Sequence, residues 1–318
     1  MRAFVTGGAG FIGSTLVDRL IGEGHEVRVY DNLSTGSERF LERAAESSRF
    51  SFVKGDLGDV DALRRAMTGS EIVFHLAANA DVRFGLEHPR KDLDENTIGT
   101  FNVLEAMRLS GLRRIAFSST GSVYGEPAVF PTPEDAPFPR QTSLYGASKL
   151  AGEALIQAYT EGFGFQAWVF RFVSILGERY SHGHVFDFVK ALRRDPSQLR
   201  ILGDGRQRKS YLYVGDCISA ILLAVERSRD RLTLLNLGTD EYCEIDQSAR
   251  WICEELGLHP SVSHGGGSRG WVGDSPFIFL DCGRARSLGW APRLGIRDAV
   301  VRTVRYLVDN AWIMEERR

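Results

Sequence analysis

Tyr145 and Lys149 stand four residues apart in Tyr145-Gly-Ala-Ser-Lys149. On a helix that spacing puts a phenol and an ammonium one turn apart on the same face. A neighbouring positive charge favours phenolate over phenol, so a tyrosine with an ordinary pKa of about 10 becomes a base nearer neutrality. Removing a proton from a hydroxyl is the chemistry such a pair suits. The chain holds nine tyrosines and five lysines, so the spacing alone would not single these two out; their place does. They open the helix that follows a fifth strand, near the carboxyl ends of the strands, where doubly wound folds bind ligands. That strand runs into Phe117-Ser-Ser-Thr-Gly-Ser-Val-Tyr-Gly125 and ends on the hydroxyls of Ser118 to Thr120. Taken alone, a hydroxyl there is an ordinary cap.

A second chemical end lies at the start of the chain. Thr6-Gly-Gly-Ala-Gly-Phe-Ile-Gly13 follows the first strand and opens the first helix, with Gly7, Gly10 and Gly13 in GxxGxxG spacing. Such a turn lets backbone approach a pyrophosphate and aims helix amides at negative charge. The second strand ends in Asp31, eighteen residues after Gly13. A carboxylate there accepts hydrogen bonds from both hydroxyls of an adenosine ribose and repels a 2′-phosphate. Asn32-Leu-Ser-Thr-Gly36 follows with no arginine. NAD rather than NADP is the expected cofactor.

These groups need a scaffold, and the pattern supplies one. Apolar strands at 3–6, 26–31, 51–56, 72–77, 114–119 and 166–174 alternate with helical stretches at 11–23, 60–67, 92–109 and 145–163. Near-continuous apolar strands separated by helices indicate a parallel sheet covered on both faces. The expected fold is α/β, a Rossmann-type doubly wound sheet over 1–176, followed by a smaller α/β substrate-binding domain over 177–318. A segment near 211–238 is expected to be exchanged into the first domain. With 43% apolar and 25% charged residues and a net charge of −2, the composition is that of a globular protein. No basic run suggests nucleic acid. No apolar stretch reaches the roughly 20 residues that span a bilayer. The chain starts directly with a strand, so no leader is expected. Cys217, Cys243, Cys253 and Cys282 form no CxxC pair, which favours buried thiols over disulfides or zinc. A cytoplasmic protein is expected.

Gly7–Gly13, Tyr30-Asp-Asn-Leu-Ser-Thr-Gly36, Gly55-Asp56 and His75-Leu-Ala-Ala78 together resemble the extended short-chain dehydrogenase/reductase superfamily. The closest resemblance is to its nucleotide-sugar epimerase/dehydratase branch, of the UDP-glucose 4-epimerase type, and it runs over essentially the whole chain. The resemblance implies a cofactor site made by Gly7, Gly10, Phe11, Ile12, Gly13, Asp31, Asn32, Ser34, Thr35 and Gly36, with Asp56 and Leu57 bordering the adenine. It also implies that Leu76, Ala77, Ala78, Asn96 and Ser118 line the route to the nicotinamide, and that Tyr145 and Lys149 meet the cofactor there. Thr120 becomes a catalytic residue, bonding the reacting sugar hydroxyl and sharing its proton with Tyr145. Dehydratases of this branch carry Asp-Glu after that threonine, and decarboxylases a glutamate at the second position; here Gly121 and Ser122 stand instead.

For the nucleotide sugar, the resemblance places Lys209 and Tyr211 on the diphosphate. Relatives mostly have arginine where Lys209 stands, so a bidentate fork becomes a point charge, with Arg208 beside it as the expected compensation. Arg269 is expected on the phosphates, Asp274 on the ribose, and Ile278 in the wall that meets the sugar's 2-substituent. Ser174 replaces a usual asparagine, and it cannot present an amide's paired donor and acceptor. His184 and Val185, in Ser181-His-Gly-His-Val-Phe186, are expected to cover the sugar. No metal is expected. The resemblance implies a homodimer through a helical bundle of the first domain. The expectation is an NAD-dependent UDP-glucose/UDP-galactose 4-epimerase acting through a transient 4-keto sugar and enzyme-bound NADH. The alternatives are a nucleotide-sugar 4-ketoreductase or oxidoreductase, and a 4-epimerase of UDP-N-acetylhexosamine or UDP-uronic acid. A dinucleotide-sensing regulator without turnover would have no use for Thr120, Tyr145 and Lys149 together.

Overall fold

The computed structural model describes residues 1–137 and 140–316. They form two compact units, neither of which is a continuous stretch of chain. The first comprises Met1–Val123, Ser143–Arg171 and Ile218–Leu235; the second comprises Tyr124–Thr142, Phe172–Cys217 and the chain from Asn236 onward. Ile218–Leu235 of the first unit lies within the segment 211–238. Residues 124–142 go with the second unit, which the sequence reading had not foreseen.

The first unit is built on strands β1 (Arg2–Thr6), β2 (Glu26–Asp31), β3 (Phe50–Lys54), β4 (Ile72–His75), β5 (Arg114–Thr120) and β6 (Gln166–Phe172). With the strand Leu232–Leu237 they form a seven-stranded sheet in the order 232–237, β6, β5, β4, β1, β2, β3. β1 pairs in parallel with both β2 and β4. All four residues of β4 are buried, as expected of a strand covered on both faces. One layer of core joins Phe4, Val73, Ile115 and Phe117 on the sheet to Val103, Leu104, Met107 and Ile156 on the helices. The Rossmann-type expectation holds.

Two expected elements differ in detail. The stretch 166–174 is not one strand: β6 stops at Phe172, and Ser174–Leu176 pairs in parallel with Tyr211–Tyr213. Continuous apolar character hid the break, because both strands are buried. The expected helix 92–109 winds as a π-helix over Asp92–Ile98 before the α-helix Gly99–Leu109. Such wide turns often mark functional positions.

Behind β5 and β6 lies a fully buried ion pair. Arg171 reaches Glu153 from Nη2 (2.7 Å) and Nε (3.0 Å), and Ser119 donates its hydroxyl to the same carboxylate. Glu153 has no exposed surface.

In the second unit, the short strands Cys243–Glu244, Arg208–Lys209 and Phe277–Ile278 form a three-stranded sheet. Gln198–Ile201 pairs with Ser261–His264. The helices His184–Arg194, Ile245–Leu256 and Ile296–Asp309 pack on one another. Among the described residues no helix is long and apolar enough to cross a membrane.

Removing one partner of a buried ion pair strands the other charge, at a cost of about 3–5 kcal/mol. Glu153→Ala should therefore lower the unfolding free energy by that amount, while loss of the exposed Arg2–Glu71 pair should be close to neutral. Urea unfolding of the two variants checks the difference.

Candidate active site

The glycine turn is forced by contact. Gly7 has φ of 70°, the left-handed region that costs other residues most. At Gly13 a methyl would lie 2.1 Å from the carbonyl oxygen of Gly7. Gly10 is the N-cap of the helix Phe11–Gly22 and offers no side-chain cap. Phe11 and Ile12 form the first turn behind it. Asp31 fastens this loop to the end of β2: its Oδ2 accepts from the Ala9 amide (3.0 Å) and its Oδ1 from the Leu33 amide (2.8 Å). Burial raises its pKa, and the two amides oppose that. Each carboxylate oxygen keeps a second lone pair, enough for two ribose hydroxyls.

Asn32 donates to Asp56 Oδ2 (2.8 Å) and accepts from the Ser34 amide (2.9 Å). The Gly58 amide holds Asp56 Oδ1 at 2.8 Å, and these bonds keep the Asp56 carboxyl below its usual range. Thr35 and Gly36 lead into the Ser37 amide, which bonds Ala9 O (3.0 Å). Leu57 takes the Asn102 amide on its carbonyl (2.9 Å). The Leu76 amide bonds Thr6 O (3.1 Å), the Ala77 amide reaches Thr6 Oγ1 (3.4 Å), and Ala78 follows. The tight glycine turn, the uncapped helix start and the acidic end of β2 fit a dinucleotide.

Thr120 ends β5, and Tyr145 lies in the first turn of the helix Leu144–Phe163, which Ser143 caps through the Gly146 amide (3.0 Å). The Thr120 hydroxyl lies close enough to the Tyr145 phenol to lower its pKa. Thr120 Oγ1 also donates to Ser122 Oγ (3.2 Å) and accepts from the Ser122 amide (3.1 Å). Lys149 is 2% exposed. Its Nζ donates to Ser118 O (2.8 Å) and stands over the Phe117 ring at 4.8 Å. Burial pushes the Lys149 ammonium down to about 7, against the pull of Glu153 and Asp92. Burial pushes the Tyr145 phenol up to about 12; the Thr120 hydroxyl opposes this and Asp92 adds to it. The expected phenolate near neutrality is therefore not a property of the protein alone. Lys149 points its ammonium at a carbonyl, where the sequence reading had it sharpening the phenol.

Beside the expected Asn96 and Ser118, several residues here were missed in the sequence. His75 is buried between Thr6 Oγ1 (2.7 Å from Nδ1) and Thr100 Oγ1 (3.0 Å from Nε2). Thr100 gives its own hydrogen to Asn96 O (2.5 Å), so it accepts from His75, which fixes the Nε2–H tautomer. Burial, then the charge of Lys149, lowers His75 to about 3. Asn96 joins Asn79, Asp92 and Ser148 in one buried network. The i,i+4 spacing of Asp92 and Asn96 was the available signal. Ser118 bonds His75 O (3.3 Å).

In the second unit Tyr211 and His184 meet, Oη to Nδ1 at 3.2 Å with rings 4.8 Å apart. His184 Nε2 bonds Ser248 Oγ (2.8 Å), and burial and then Lys209 lower it to about 3. Val185 is buried behind it. Ser174 pairs with Tyr211 across the strands and is exposed. Lys209 and Asp274, assigned to different parts of a ligand, form one ion pair at 2.6 Å. Asp274 Oδ2 takes the Gly270 amide (3.0 Å), and Arg269 pairs with Glu126. Glu126 carried no signal in the sequence, 143 residues away. Ile278 pairs with Lys209 across the sheet. Arg208 does not compensate for Lys209. Strand alternation turns it to the other face, where it is exposed and stacks on Phe277 at 4.1 Å. Among the described residues no group of three or more His, Cys, Asp or Glu side chains could hold a metal.

The fold and the glycine turn define a dinucleotide-binding α/β protein, with Thr120, Tyr145 and Lys149 on adjoining elements of the same unit. Residues 3–238 match the family model of the NAD dependent epimerase/dehydratase family, and the chain belongs to that family. It is 34% identical over 324 residues to a UDP-glucose 4-epimerase of Mycolicibacterium smegmatis, covering 96% of this chain and 98% of the relative. A crystal structure of a UDP-galactose 4-epimerase superposes with a TM-score of 0.88 at 38% identity, covering 98% of this chain and all of the other. A UDP-glucose 4-epimerase of Thermotoga maritima, crystallised with UDP-glucose, gives 0.89 at 33% identity, with coverage of 98% and 100%.

His75 sets a pH limit. Its folded pKa of about 3 lies below the ordinary 6.5, so the unfolded chain binds the extra proton. Stability from this group is present above 6.5 and is lost as pH falls toward 3. His75→Gln, which lacks that proton uptake, should show a shallower loss across this window, measured by urea unfolding at stepped pH.

Proposed function

We infer that the protein is an NAD-dependent isomerase, a 4-epimerase of UDP-glucose and UDP-galactose. The observation that carries this reading is Thr120 at the end of β5 beside Tyr145 in the first turn of the next helix, with Gly121 and Ser122 after Thr120 in place of carboxylates. Eliminating water needs a further acid and base, and neither Gly121 nor Ser122 carries a carboxylate. A set of this kind takes one proton from a sugar hydroxyl and gives it back, which is all that inversion at one carbon requires.

The glycine turn and Asp31 would hold the dinucleotide, with Asn32, Ser34 and Asp56 beside its adenosine half. Bound NAD would supply hydride acceptance and return and, when oxidised, a positively charged ring. Thr120 orients the 4-hydroxyl and Tyr145 takes its proton, leaving a transient 4-keto sugar. After the sugar has turned, Tyr145 returns the proton. Lys149, anchored on Ser118 O, holds the phenol's surroundings polar and dry. In the second unit, Lys209, Tyr211 and Arg269 supply the donors for a diphosphate, and His184, Val185 and Ile278 the apolar and ring contacts. Lys209 and Arg269 must first exchange their carboxylate partners, Asp274 and Glu126, for phosphate oxygens. The relatives above, named for UDP-glucose and UDP-galactose, support the choice of sugar. Four free cysteines suit a reducing, cytoplasmic setting.

We also propose a homodimer through the first unit's helices, where Leu93, Ile98 and Phe101 are 41–48% exposed, an unusual run of large apolar surface. Phe101→Glu should convert dimer to monomer in light scattering; a wild-type monomer would remove the proposal.

Incubated with UDP-galactose, the protein should form UDP-glucose with no net change at the nicotinamide absorbance. Stoichiometric consumption of reduced cofactor would favour a ketoreductase instead. Tyr145→Phe should lose on the order of 10²–10⁴ in turnover while retaining bound NAD. Retention of more than about a tenth of the rate would remove Tyr145 as the base.

A further inference from the structure

Asp92 opens the π-turned segment Asp92–Ile98 and is 1% exposed. Its Oδ1 accepts from Asn79 Nδ2 (2.9 Å) and Asn96 Nδ2 (3.2 Å). The Asn96 amide continues to Ser148 Oγ (2.9 Å), and Ser148 donates to Tyr145 O (2.8 Å). One chain of hydrogen bonds thus runs from a buried carboxylate to the backbone of Tyr145. The other oxygen, Oδ2, is buried without a hydrogen-bond partner. It lies against Gly85, where a methyl would meet it at 2.0 Å, so the helix Val82–Glu87 closes over it with backbone alone. A buried carboxylate with one oxygen unpaired is costly, and the two amides it orders are its direct return.

We propose that Asp92 is a positioning residue for the reaction: through Asn96 and Ser148 it fixes the helical turn that carries Tyr145, and its negative charge holds the proton on the Tyr145–Lys149 pair until substrate and cofactor are in place. The proposal rests on the assignment of Tyr145 as the base. The charged and titratable groups around Asp92 are Asp81, the cap of the Val82–Glu87 helix; Glu95 on its own segment, paired with Lys91 (2.5 Å); Tyr145, Lys149 and, beyond them, Glu153 on the Leu144–Phe163 helix; and neutral His75 on β4. Asp81 and Glu95 oppose ionisation of Asp92 and Lys149 favours it; burial is the largest influence, raising its pKa. Asp92 in turn raises both Tyr145 and Lys149. Both groups therefore release a proton at lower pH when its charge is removed.

Asp92→Asn keeps the Oδ1 acceptor and the volume while removing the charge. In the NAD-loaded enzyme the acid limb of kcat should move to lower pH by at least about one unit, the effect of a unit charge about 12 Å away at an effective dielectric of about 20. The tyrosinate absorbance that Tyr145→Phe abolishes should move with it, which reads the phenol without turnover. Asp92→Ala, which also strands the two amides, should in addition lower kcat at every pH. Superimposable acid limbs and tyrosinate titrations for wild type and Asp92→Asn overturn the proposal, as does a shift to higher pH. If Tyr145→Phe stays active, the base assignment falls instead, and the two failures are told apart.

Discussion

The first unit is organised around the cost of keeping one ammonium out of water. Lys149 lies under the catalytic turn with 2% of its surface exposed, and a buried charge persists only if it is paired or solvated by fixed dipoles. Ser118 O, the Phe117 ring face and the carboxylates of Glu153 and Asp92 supply that environment. Glu153 then needs Arg171 and Ser119, and Asp92 needs Asn79 and Asn96. The polar residues beneath Tyr145 thus form a sequence of obligations that starts at one nitrogen. The packed sheet around them keeps their geometry from relaxing.

The second unit handles its buried lysine differently. Lys209 is met by a single carboxylate, Asp274, and a backbone carbonyl. Desolvation still outweighs that help and leaves its pKa below normal. An ion pair of this kind can be exchanged for another anion of the right shape, whereas the Lys149 environment, distributed over four groups, cannot. The contrast is between a charge held by one carboxylate and a carbonyl and a charge held by four groups at once.

Much of this was legible in the sequence because it is local. The glycine turn, Asp31, the Tyr145–Lys149 spacing and the hydroxyl end of β5 each sit within one strand–turn–helix unit, where period and turn chemistry speak directly. The expected strand 166–174 misled because burial on both faces erases the difference between one strand and two. The pairing of Arg269 with Glu126 and of Lys209 with Asp274 joins residues far apart in the chain, and no local pattern encodes a partner. Arg208 could have been placed correctly: two neighbours on a strand face opposite ways, so it and Lys209 never shared a face. Asp92 looked like one more surface acid in Lys91-Asp-Leu-Asp-Glu95; only the π-turn rotates it inward.

The hydrogen bonds through His75 run in one direction, Thr6 to His75 to Thr100 to Asn96 O, and each donor has its acceptor already chosen. Such a chain couples the evolutionary fates of three positions. Valine at 100 alone would strand an imidazole N–H in the core, and an apolar residue at 75 alone would leave the Thr6 hydroxyl without its acceptor. Loss of all three polar groups together removes both of those donors and leaves only the long Ala77 amide contact to Thr6 unmatched. Relatives should therefore keep the hydroxyl–imidazole–hydroxyl set whole or lack it whole, with mixed combinations selected against at the level of folding and not of catalysis.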